Sequence, residues 1–244
     1  MNSHPVTNKW LNLAKFIVSA IRTPSLKECY DASACVYENI FGRNQEFFAN
    51  VMVEALRERC RGKYEKALDL GAGTGILTRK LPDVCGRVCG IDFSHGMLEQ
   101  AIIEDGSSQS HYIGGDVLAL PFPDDEFDLV VSLGLITHIL PKHFAAFVSE
   151  IDRVAAPSAT ILIAITPLPW RLFSPRRSSF EPRLVDKALI NGYNLFQKSF
   201  KVSERRGVYE PATFRAEFGK HGYGVEYSIS HSLTLVTASR NGQK

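Results

Sequence analysis

The chain has 244 residues, 45% of them apolar, which is enough for one sizeable hydrophobic core and fits a single domain with additions. Its formal net charge of +2 at pH 7 gives no indication of a nucleic-acid or membrane partner. The five cysteines, an odd number without a Cys-x-x-Cys pair, argue against a disulfide framework or a zinc site and favour reduced, intracellular thiols.

Three helices are predicted before the first strand. Residues 10–21 carry apolar side chains at helical spacing, but this segment is too short and too polar to span a bilayer. We expect it to pack on the domain, and the alternative is that it covers the mouth of an active site. Ser25 and Glu28 form a capping box that starts a second helix, and residues 45–60 show the apolar spacing of a third.

A glycine-rich loop follows the first predicted strand. Residues 67–75 read ALDLGAGTG, so a buried strand runs into glycines at positions 71, 73 and 75. Glycine permits positive φ and lets backbone N–H groups approach a ligand, and helical character returns at residues 76–81. The sequence therefore predicts a nucleotide-like ligand at the carboxyl end of this strand.

The spacing of the loop and one acidic residue narrow the choice of ligand. The dinucleotide fingerprint is G-x-G-x-x-G, whereas here the third glycine comes one residue early and Ile76 takes its place. Asp69 puts a carboxylate where it would repel a pyrophosphate and attract an ammonium group. Both observations argue against a nicotinamide or flavin cofactor and favour a ligand with an amino-acid end.

A second acidic residue ends the next predicted strand. Asp92 closes the apolar run of residues 88–92 and lies 21 residues after Gly71. That separation is close to the ~20 residues expected for a carboxylate that holds ribose hydroxyls, and the alternative is a cap at the end of a strand. Ser94 then predicts the N-cap of a helix with an apolar stripe.

Strands and helices continue to alternate to the end of the chain. The predicted elements are a strand at residues 127–133, a helix at 141–155, a strand at 159–166, a helix at 211–223 and strands at 224–231 and 233–240. Such alternation implies a parallel sheet covered on both faces, with its ligand at the carboxyl ends of the strands.

The order of these motifs resembles that of the class I S-adenosylmethionine-dependent methyltransferases. The motifs are DLGAGTG, GIDFSHGML, GDVLALPF and FDLVVS, followed by the strand at residues 159–166. The resemblance covers about residues 60–167 and is greatest to the small-molecule branch that includes ubiquinone and menaquinone methyltransferases. It implies a Rossmann-like, three-layer α/β sandwich whose seven strands have the order 3-2-1-4-5-7-6, with strand 7 antiparallel.

This resemblance implies one methyltransferase domain over residues 1–244. Its four parts would be an N-terminal helical cap (1–60), a cofactor-binding core (61–166), a cap insertion (167–210) and a final helix with strands (211–244). Together with the cysteine content, it predicts a cytoplasmic enzyme without a metal.

The resemblance also implies S-adenosylmethionine as the cofactor, S-adenosylhomocysteine as its product, and roles for individual residues. Asp69 would orient the ammonium group, and Asp92 would accept hydrogen bonds from the ribose hydroxyls. The remaining cofactor residues would be Gly71, Ala72 and Gly73 beneath the methionine moiety, Phe93 or Met97 beside the adenine, Asp116 and Val117 at the adenine edge, Leu133 near the sulfur, and Tyr30 in a Tyr-Asp segment that closes over the cofactor. The alternative is a strand-end cap for Asp116 and a half-buried helix position for Tyr30.

Methyl transfer is a direct displacement that requires alignment of the acceptor and exclusion of water, with removal of a proton where necessary. His138 follows the fourth strand, where related enzymes often carry a His-His pair and where Thr137 occupies the first position here. It is the candidate general base, with a structural hydrogen bond as the alternative. Motifs of enzymes that methylate nucleic-acid bases are absent after this strand. This leaves a small, planar or apolar acceptor that is methylated on an oxygen, nitrogen or carbon atom.

The predicted cap insertion at residues 167–210 is rich in aromatic and basic side chains. Between residues 171 and 206 there are nine Lys or Arg residues against three acidic ones. We expect Trp170 and Phe173 to contact the acceptor, and Arg176 to bind an anionic group on it or on a carrier protein. The alternative is that the arginines merely solvate an exposed loop.

Two other functions remain open from the sequence. A non-methylating member of the same fold, such as a cyclase or a binding module, would keep every motif above. An NAD-dependent oxidoreductase is disfavoured by the glycine spacing and by Asp69.

Overall fold

The computed structural model describes residues 25–60, 62–106, 109–165, 210–230 and 233–240, together with residues 11, 12, 14, 15 and 18. These last five residues are helical, and the rest of the predicted helix at 10–21 lies outside the described residues. The same holds for the predicted cap insertion up to residue 209, and therefore for Trp170, Phe173 and Arg176.

Seven strands form one sheet in the order β3-β2-β1-β4-β5-β7-β6. They are β1 (Tyr64–Leu70), β2 (Cys85–Asp92), β3 (Ser110–Gly114), β4 (Phe127–Leu133), β5 (Ala155–Ile165), β6 (Tyr223–Ser230) and β7 (Leu233–Arg240). Strand β7 is antiparallel to both of its neighbours, and the other pairs are parallel. The strand order and the one reversed strand confirm the predicted fold.

Besides the helical residues between 11 and 18, the described residues form five α-helices. Two of them precede the first strand, and the other three lie between later strands. The five helices are α1 (Leu26–Tyr37), α2 (Arg43–Arg59), α3 (His95–Glu104), α4 (Phe144–Val154) and α5 (Pro211–Lys220). A π-helical segment, Glu38–Gly42, joins α1 to α2. Both predicted caps are confirmed, since Ser25 accepts from the Glu28 backbone N–H and Ser94 accepts from that of Met97.

The apolar core lies on both faces of the sheet because parallel strands are buried between helices. One cluster packs α4 and α5 against the sheet around Phe147, Ile151 and Phe214, and the other packs α2 around Met52 and Leu56. The buried stripe of α4 consists of Phe144, Phe147, Val148, Ile151 and Val154, as its helical spacing predicts. None of the helices in the described part of the chain has the length and apolar composition that crossing a bilayer requires.

The segment after the glycine loop is predicted to have helical character at residues 76–81. The chain forms turns there and then a 3-10 helix, Thr78–Asp83, rather than an α-helix. Pro82 lies within it, and proline disfavours an α-helical conformation at the preceding residue and lacks an N–H donor. Strand β3 had no clear sequence signal because it lies at the edge of the sheet and its residues are mostly exposed.

Candidate functional site

The glycine loop connects the carboxyl end of β1 to the 3-10 helix. Gly71, Gly73 and Gly75 have φ values of +71°, +55° and +80°, which confirms that the loop uses conformations that side chains rarely adopt. The backbone N–H groups of Gly71 and Ala72 both donate to the carbonyl of Ile91 at 2.9 and 3.0 Å. These bonds fix the loop to the end of the neighbouring strand β2.

Two adjoining cavities open at the carboxyl edge of the sheet. The larger cavity, about 90 Å³, is lined by Tyr30, Tyr37, Gln45, Gly71, Gly73, Asp92, Phe93, Met97, Leu133, Gly134, Leu135 and His138. The smaller cavity, about 50 Å³, is lined by Tyr37, Gln45, Asp69, Gly71, Ala72, Gly73, Thr74, Ile76, Leu77 and Leu133. Most of the side chains and glycines predicted to hold the cofactor therefore meet here, together with His138.

Asp92 lines the larger cavity from the end of β2. One carboxylate oxygen accepts from the backbone N–H of Gly73 at 2.9 Å, and the other accepts from that of Ser94 at 2.9 Å. Burial raises the pKa of this carboxyl above its ordinary value, although these hydrogen bonds oppose the rise. Each carboxylate oxygen can accept a further bond, so Asp92 retains capacity for ligand hydroxyls.

Asp69 lines the smaller cavity from β1 and is only 1% exposed. Its Oδ2 accepts a hydrogen bond from the Thr78 hydroxyl at 2.7 Å. Burial, and to a lesser extent the nearby charge of Asp92, raise the pKa of Asp69 to about 7. Its recorded partners among the described residues are uncharged, so a cationic ligand group would stabilise its ionised form.

Tyr30 and His138 also line the larger cavity. The Tyr30 hydroxyl and His138 Nε2 are 3.1 Å apart, within hydrogen-bond distance. The Tyr30 ring also makes edge-on contacts with Tyr37, Phe93 and His138, with centroid separations of 6.1, 6.3 and 5.8 Å. His138 ends a 3-10 helix, Leu135–His138, which follows Gly134 at φ +82°. Helix α1 and the chain after β4 thus build one aromatic surface.

Asp116 and Val117 lie outside both of these cavities. Asp116 is exposed, and its carboxylate accepts from the Leu118 backbone N–H at 2.9 Å, whereas Val117 belongs to the apolar core. Their assignment to the adenine edge stays a prediction.

Sequence reasoning assigned no role to several residues at or beside the site, among them Gln45, Leu135 and Asp31. Gln45 and Leu135 line the larger cavity, but neither belongs to a recognisable motif. Asp31 binds the first turn of α3 through its carboxylate. The only signal for Asp31 was its position next to Tyr30 in the Tyr-Asp pair.

Comparisons with known proteins place these motifs in a family context. A family model described as a methyltransferase domain matches residues 68–163. A probable S-adenosylmethionine-dependent methyltransferase of Mycolicibacterium smegmatis is 30% identical over 193 residues, which cover 77% of this chain and 70% of that protein.

Two further relatives carry the names of specific reactions. A probable chloroplastic tocopherol O-methyltransferase of Oryza sativa subsp. japonica is 33% identical over 65% of this chain and 51% of its own length. The demethylmenaquinone methyltransferase of Bacillus velezensis is 32% identical over 56% of this chain and 59% of its own length. This chain therefore spans between about half and 70% of the length of these three relatives.

The fold also matches solved structures. A complex of DhpI with SAH superposes with a TM-score of 0.64 at 20% identity, and the match covers 94% of this chain and 99% of that one.

Among the described residues, no group of three or more His, Cys, Asp or Glu side chains is arranged to hold a metal ion.

Proposed function

This chain belongs to the S-adenosylmethionine-dependent methyltransferases, and we propose that it transfers the cofactor's methyl group to a small aromatic or apolar metabolite. The observation that carries this proposal is the composition of the larger cavity. The glycine loop and Asp92 line it together with the aromatic side chains of Tyr30 and Phe93 and the imidazole of His138. The loop and the carboxylate suit a nucleoside with an amino-acid tail, and the aromatic side chains suit planar groups.

The residues around the two cavities fit the cofactor group by group. Asp69 offers a buried carboxylate to the ammonium group, and burial raises its pKa to about 7, so that a neighbouring cation would stabilise the ionised form. Asp92 offers acceptor sites to the ribose hydroxyls, and Phe93 and Met97 offer apolar surface to the adenine. Gly71, Ala72 and Gly73 expose backbone to the methionine moiety, beside Leu133.

Asp116 and Val117 complete the proposed cofactor contacts at the adenine edge. Asp116 already holds a local turn through the Leu118 N–H, and its remaining oxygen lone pairs are available to the exocyclic amine. This assignment rests on the GDV motif of residues 115–117 and on the resemblance of that motif to the family.

Methyl transfer requires no covalent intermediate with the protein. The cofactor supplies an electrophilic methyl group on its sulfonium, and the side chains around the cavity align the acceptor atom with it. Tyr30 and Leu135 line the larger cavity, and their apolar surface would exclude water from this position. His138 Nε2 would take the acceptor's proton, exchanging its present contact with the Tyr30 hydroxyl for one with the acceptor.

The acceptor is proposed to be planar and largely apolar, and to receive the methyl group on an oxygen, nitrogen or carbon atom. Two relatives named for tocopherol and demethylmenaquinone support this class, since both names denote ring compounds. Trp170 and Phe173 are proposed to stack on the acceptor, and Arg176 to bind an anionic group on it or on its carrier. The odd number of cysteines, without a Cys-x-x-Cys pair, fits a reducing compartment, and we place the reaction in the cytoplasm.

The test is a reaction with methyl-labelled S-adenosylmethionine and a panel of hydroquinones, phenols, aromatic carboxylates and aromatic amines. We expect label to enter an aromatic product, with S-adenosylhomocysteine formed in equal amount. Consumption of the cofactor without a labelled product would favour the non-methylating alternative. Calorimetry with S-adenosylhomocysteine and NAD provides the control, because tighter binding of NAD would contradict the cofactor assignment.

A further inference from the structure

Asp31 connects helix α1 to the first turn of α3. Its Oδ1 accepts from the Ser94 hydroxyl at 2.7 Å and from the Gly96 backbone N–H at 3.0 Å. Its Oδ2 pairs with Lys27 at 2.8 Å. Burial opposes ionisation of this carboxyl, but the bonds from Lys27, Ser94 and Gly96 outweigh that effect and lower its pKa to about 2. Asp31 is therefore an anion docked on the N-terminus of a neighbouring helix.

The two helices approach most closely at the same point. A Cβ atom added to Gly96 would lie 2.6 Å from the carbonyl oxygen of Asp31 and 2.9 Å from its Cα. Such distances are too short for any real side chain, so only glycine at position 96 permits this contact. The bonds of Asp31 and the absence of a side chain at Gly96 thus define one docking point.

This docking point belongs to a continuous chain of hydrogen bonds that reaches the glycine loop. Ser94 donates its hydroxyl to Asp31 and its backbone N–H to Asp92. Asp92 in turn accepts from the backbone N–H of Gly73. The position of α1 is therefore tied to the proposed ribose-binding carboxylate and to the loop beneath the cofactor.

Helix α1 forms a wall that has to move when a large ligand enters. Tyr30 and Tyr37 of α1 line the larger cavity, whose volume is only about 90 Å³. Ligand pockets typically hold about 300–1,000 Å³, so a nucleoside-sized ligand requires this lining to shift outward. Among the described elements, α1 packs mainly against α3 and against the π-helical segment, with which it shares a small cluster around Val36 and Ile40. A π-helical segment is a common feature of functional sites, and Glu38–Gly42 places one at the end of α1.

We propose that Asp31 is a positioning residue that docks α1 on α3 and thereby holds Tyr30 over the bound cofactor. This inference rests on the proposed function, since it names the element that retains S-adenosylmethionine in the site. Asp31 touches neither reactant and acts through Tyr30, which is the adjacent residue on α1. Release of the cofactor product then requires the bonds from Asp31 to Ser94 and Gly96 to open.

The experiment compares Asp31→Ala, Asp31→Asn and Lys27→Ala with the wild type. Stopped-flow measurement gives the dissociation rate of S-adenosylhomocysteine, and hydrogen exchange gives the protection of the amides of residues 26–37. Asp31→Ala should speed both dissociation and exchange by about tenfold, the effect of losing the acceptor of two partly buried hydrogen bonds. Amides of β4 should keep their protection, which verifies that the sheet is intact.

The other two variants separate the hydrogen bonds from the charge. Asn retains an Oδ1 acceptor for Ser94 and Gly96, so Asp31→Asn should stay within about threefold of the wild type. Lys27→Ala removes only the exposed ion pair with Oδ2 and should change the dissociation rate by less than about twofold.

A double-mutant cycle tests whether Asp31 acts through Tyr30. In a Tyr30→Ala background, Asp31→Ala should no longer speed the dissociation of S-adenosylhomocysteine, although it should still speed amide exchange in α1. Unchanged exchange in Asp31→Ala, equal losses in Asp31→Asn and Asp31→Ala, or full additivity with Tyr30→Ala would each overturn the proposal. If the wild type fails to bind S-adenosylhomocysteine, the proposed function fails, while the exchange comparison still decides whether Asp31 docks α1.

Discussion

The two edges of the sheet carry buried or partly buried carboxylates in opposite electrostatic settings. At the carboxyl edge, Asp69 and Asp92 accept hydrogen bonds from hydroxyl and backbone donors, and burial raises the pKa of both groups. At the amino edge, Glu150 accepts two hydrogen bonds from Arg153, and these bonds lower its pKa. Among the described residues, Asp69 and Asp92 thus have no cationic partner, whereas Glu150 has Arg153.

The amino edge is an arrangement for stability. Arg153, at the end of α4, also donates to the carbonyls of Leu120 and Phe122 and to Asp124 in the segment before β4. Every group in this network has a partner of opposite charge or a matched donor, which is the condition under which partly buried ions stabilise a fold. The charged groups around Arg153 are already paired with one another, so this arrangement does not indicate a ligand site.

The carboxyl edge is an arrangement for binding. A buried carboxylate without a cation reduces folding stability, because ionisation in a low-dielectric setting is unfavourable. An incoming ammonium group or ribose hydroxyls would reverse that cost at Asp69 and Asp92. The contrast teaches that carboxylates with a raised pKa mark the functional edge more clearly than burial does, since both edges are well packed.

The largest expected effect is on the rate of methyl transfer, and it comes from a comparison of one histidine at each edge. His138→Ala should lower the rate of methyl transfer by about 10²–10⁴ with the affinity for S-adenosylhomocysteine preserved, since it removes the proposed base. His221 lies at the amino edge, with Nδ1 2.8 Å from Asp152, and His221→Ala should affect only thermal stability. Single-turnover rates and melting temperatures of both variants give the comparison.

Tyr30→Phe is the control for the hydrogen bond between Tyr30 and His138. It removes the hydroxyl but keeps the imidazole and the aromatic ring, so turnover should fall far less than in His138→Ala. A normal rate in His138→Ala with reduced stability would assign His138 a structural role and weaken the contrast between the two edges.

A substitution at the amino edge should cost stability and leave binding intact. Arg153→Met keeps the apolar part of the side chain but removes the hydrogen bonds to Glu150, Leu120, Phe122 and Asp124. We expect a loss of about 2–3 kcal/mol in the free energy of unfolding, measured in urea, because several partners lose their donors together.

Arg57→Met is the matched control for this prediction. Arg57 pairs with Glu54 and Asp83 at an exposed position, with 46% of its side chain accessible, so its loss should cost less than about 1 kcal/mol. Equal losses in the two arginine variants would mean that the network around Arg153 contributes no more than surface ion pairs do.

Asp92→Ala examines the carboxyl edge directly. Removing the carboxylate should weaken binding of S-adenosylmethionine by about 1–3 kcal/mol, the usual effect of leaving a polar ligand group without its partner. Calorimetry with Asp116→Ala in parallel tests the second predicted acid, whose carboxylate is exposed and lies outside the two cavities. Unchanged affinity in either variant would remove that residue from the cofactor site.

Much of the fold could be predicted because periodicity and capping act locally. The stripe of α4 and the caps at Ser25 and Ser94 follow from the spacing of a few neighbouring residues, and the structure confirms them. The bounds of β4 also agree with the prediction. Strand order came from the resemblance, since pairing partners lie far apart in the sequence and have no local signal.

The site was predictable only where a residue type has a fixed chemical meaning. Glycines with positive φ and acids at strand ends gave Gly71, Asp69 and Asp92. The contact of Asp31 with Ser94 joins residues 63 positions apart, so no local pattern indicates it. Gln45 reaches the cavity because of where α2 packs, which depends on tertiary structure.

The smallest predicted effect concerns pH and follows from the pKa of about 7 for Asp69. The ordinary value is 3.8, so the folded state binds more protons between these values, and the free energy of unfolding should fall as the pH rises from about 4 to 7. Cofactor binding should respond in the opposite direction, since the ammonium group requires the ionised carboxylate.

We therefore expect S-adenosylhomocysteine to bind more weakly at pH 6 than at pH 7.5. Its dissociation constant should be larger at pH 6 by up to about tenfold, since one proton must leave Asp69 on binding. Asp69→Asn should bind more weakly at pH 7.5 and lose this acid dependence, while its stability at pH 7.5 should equal or exceed that of the wild type. A pH-independent dissociation constant in the wild type would mean that Asp69 does not face the ammonium group. The perturbed carboxylates of the carboxyl edge would then reflect burial alone, without a role in binding.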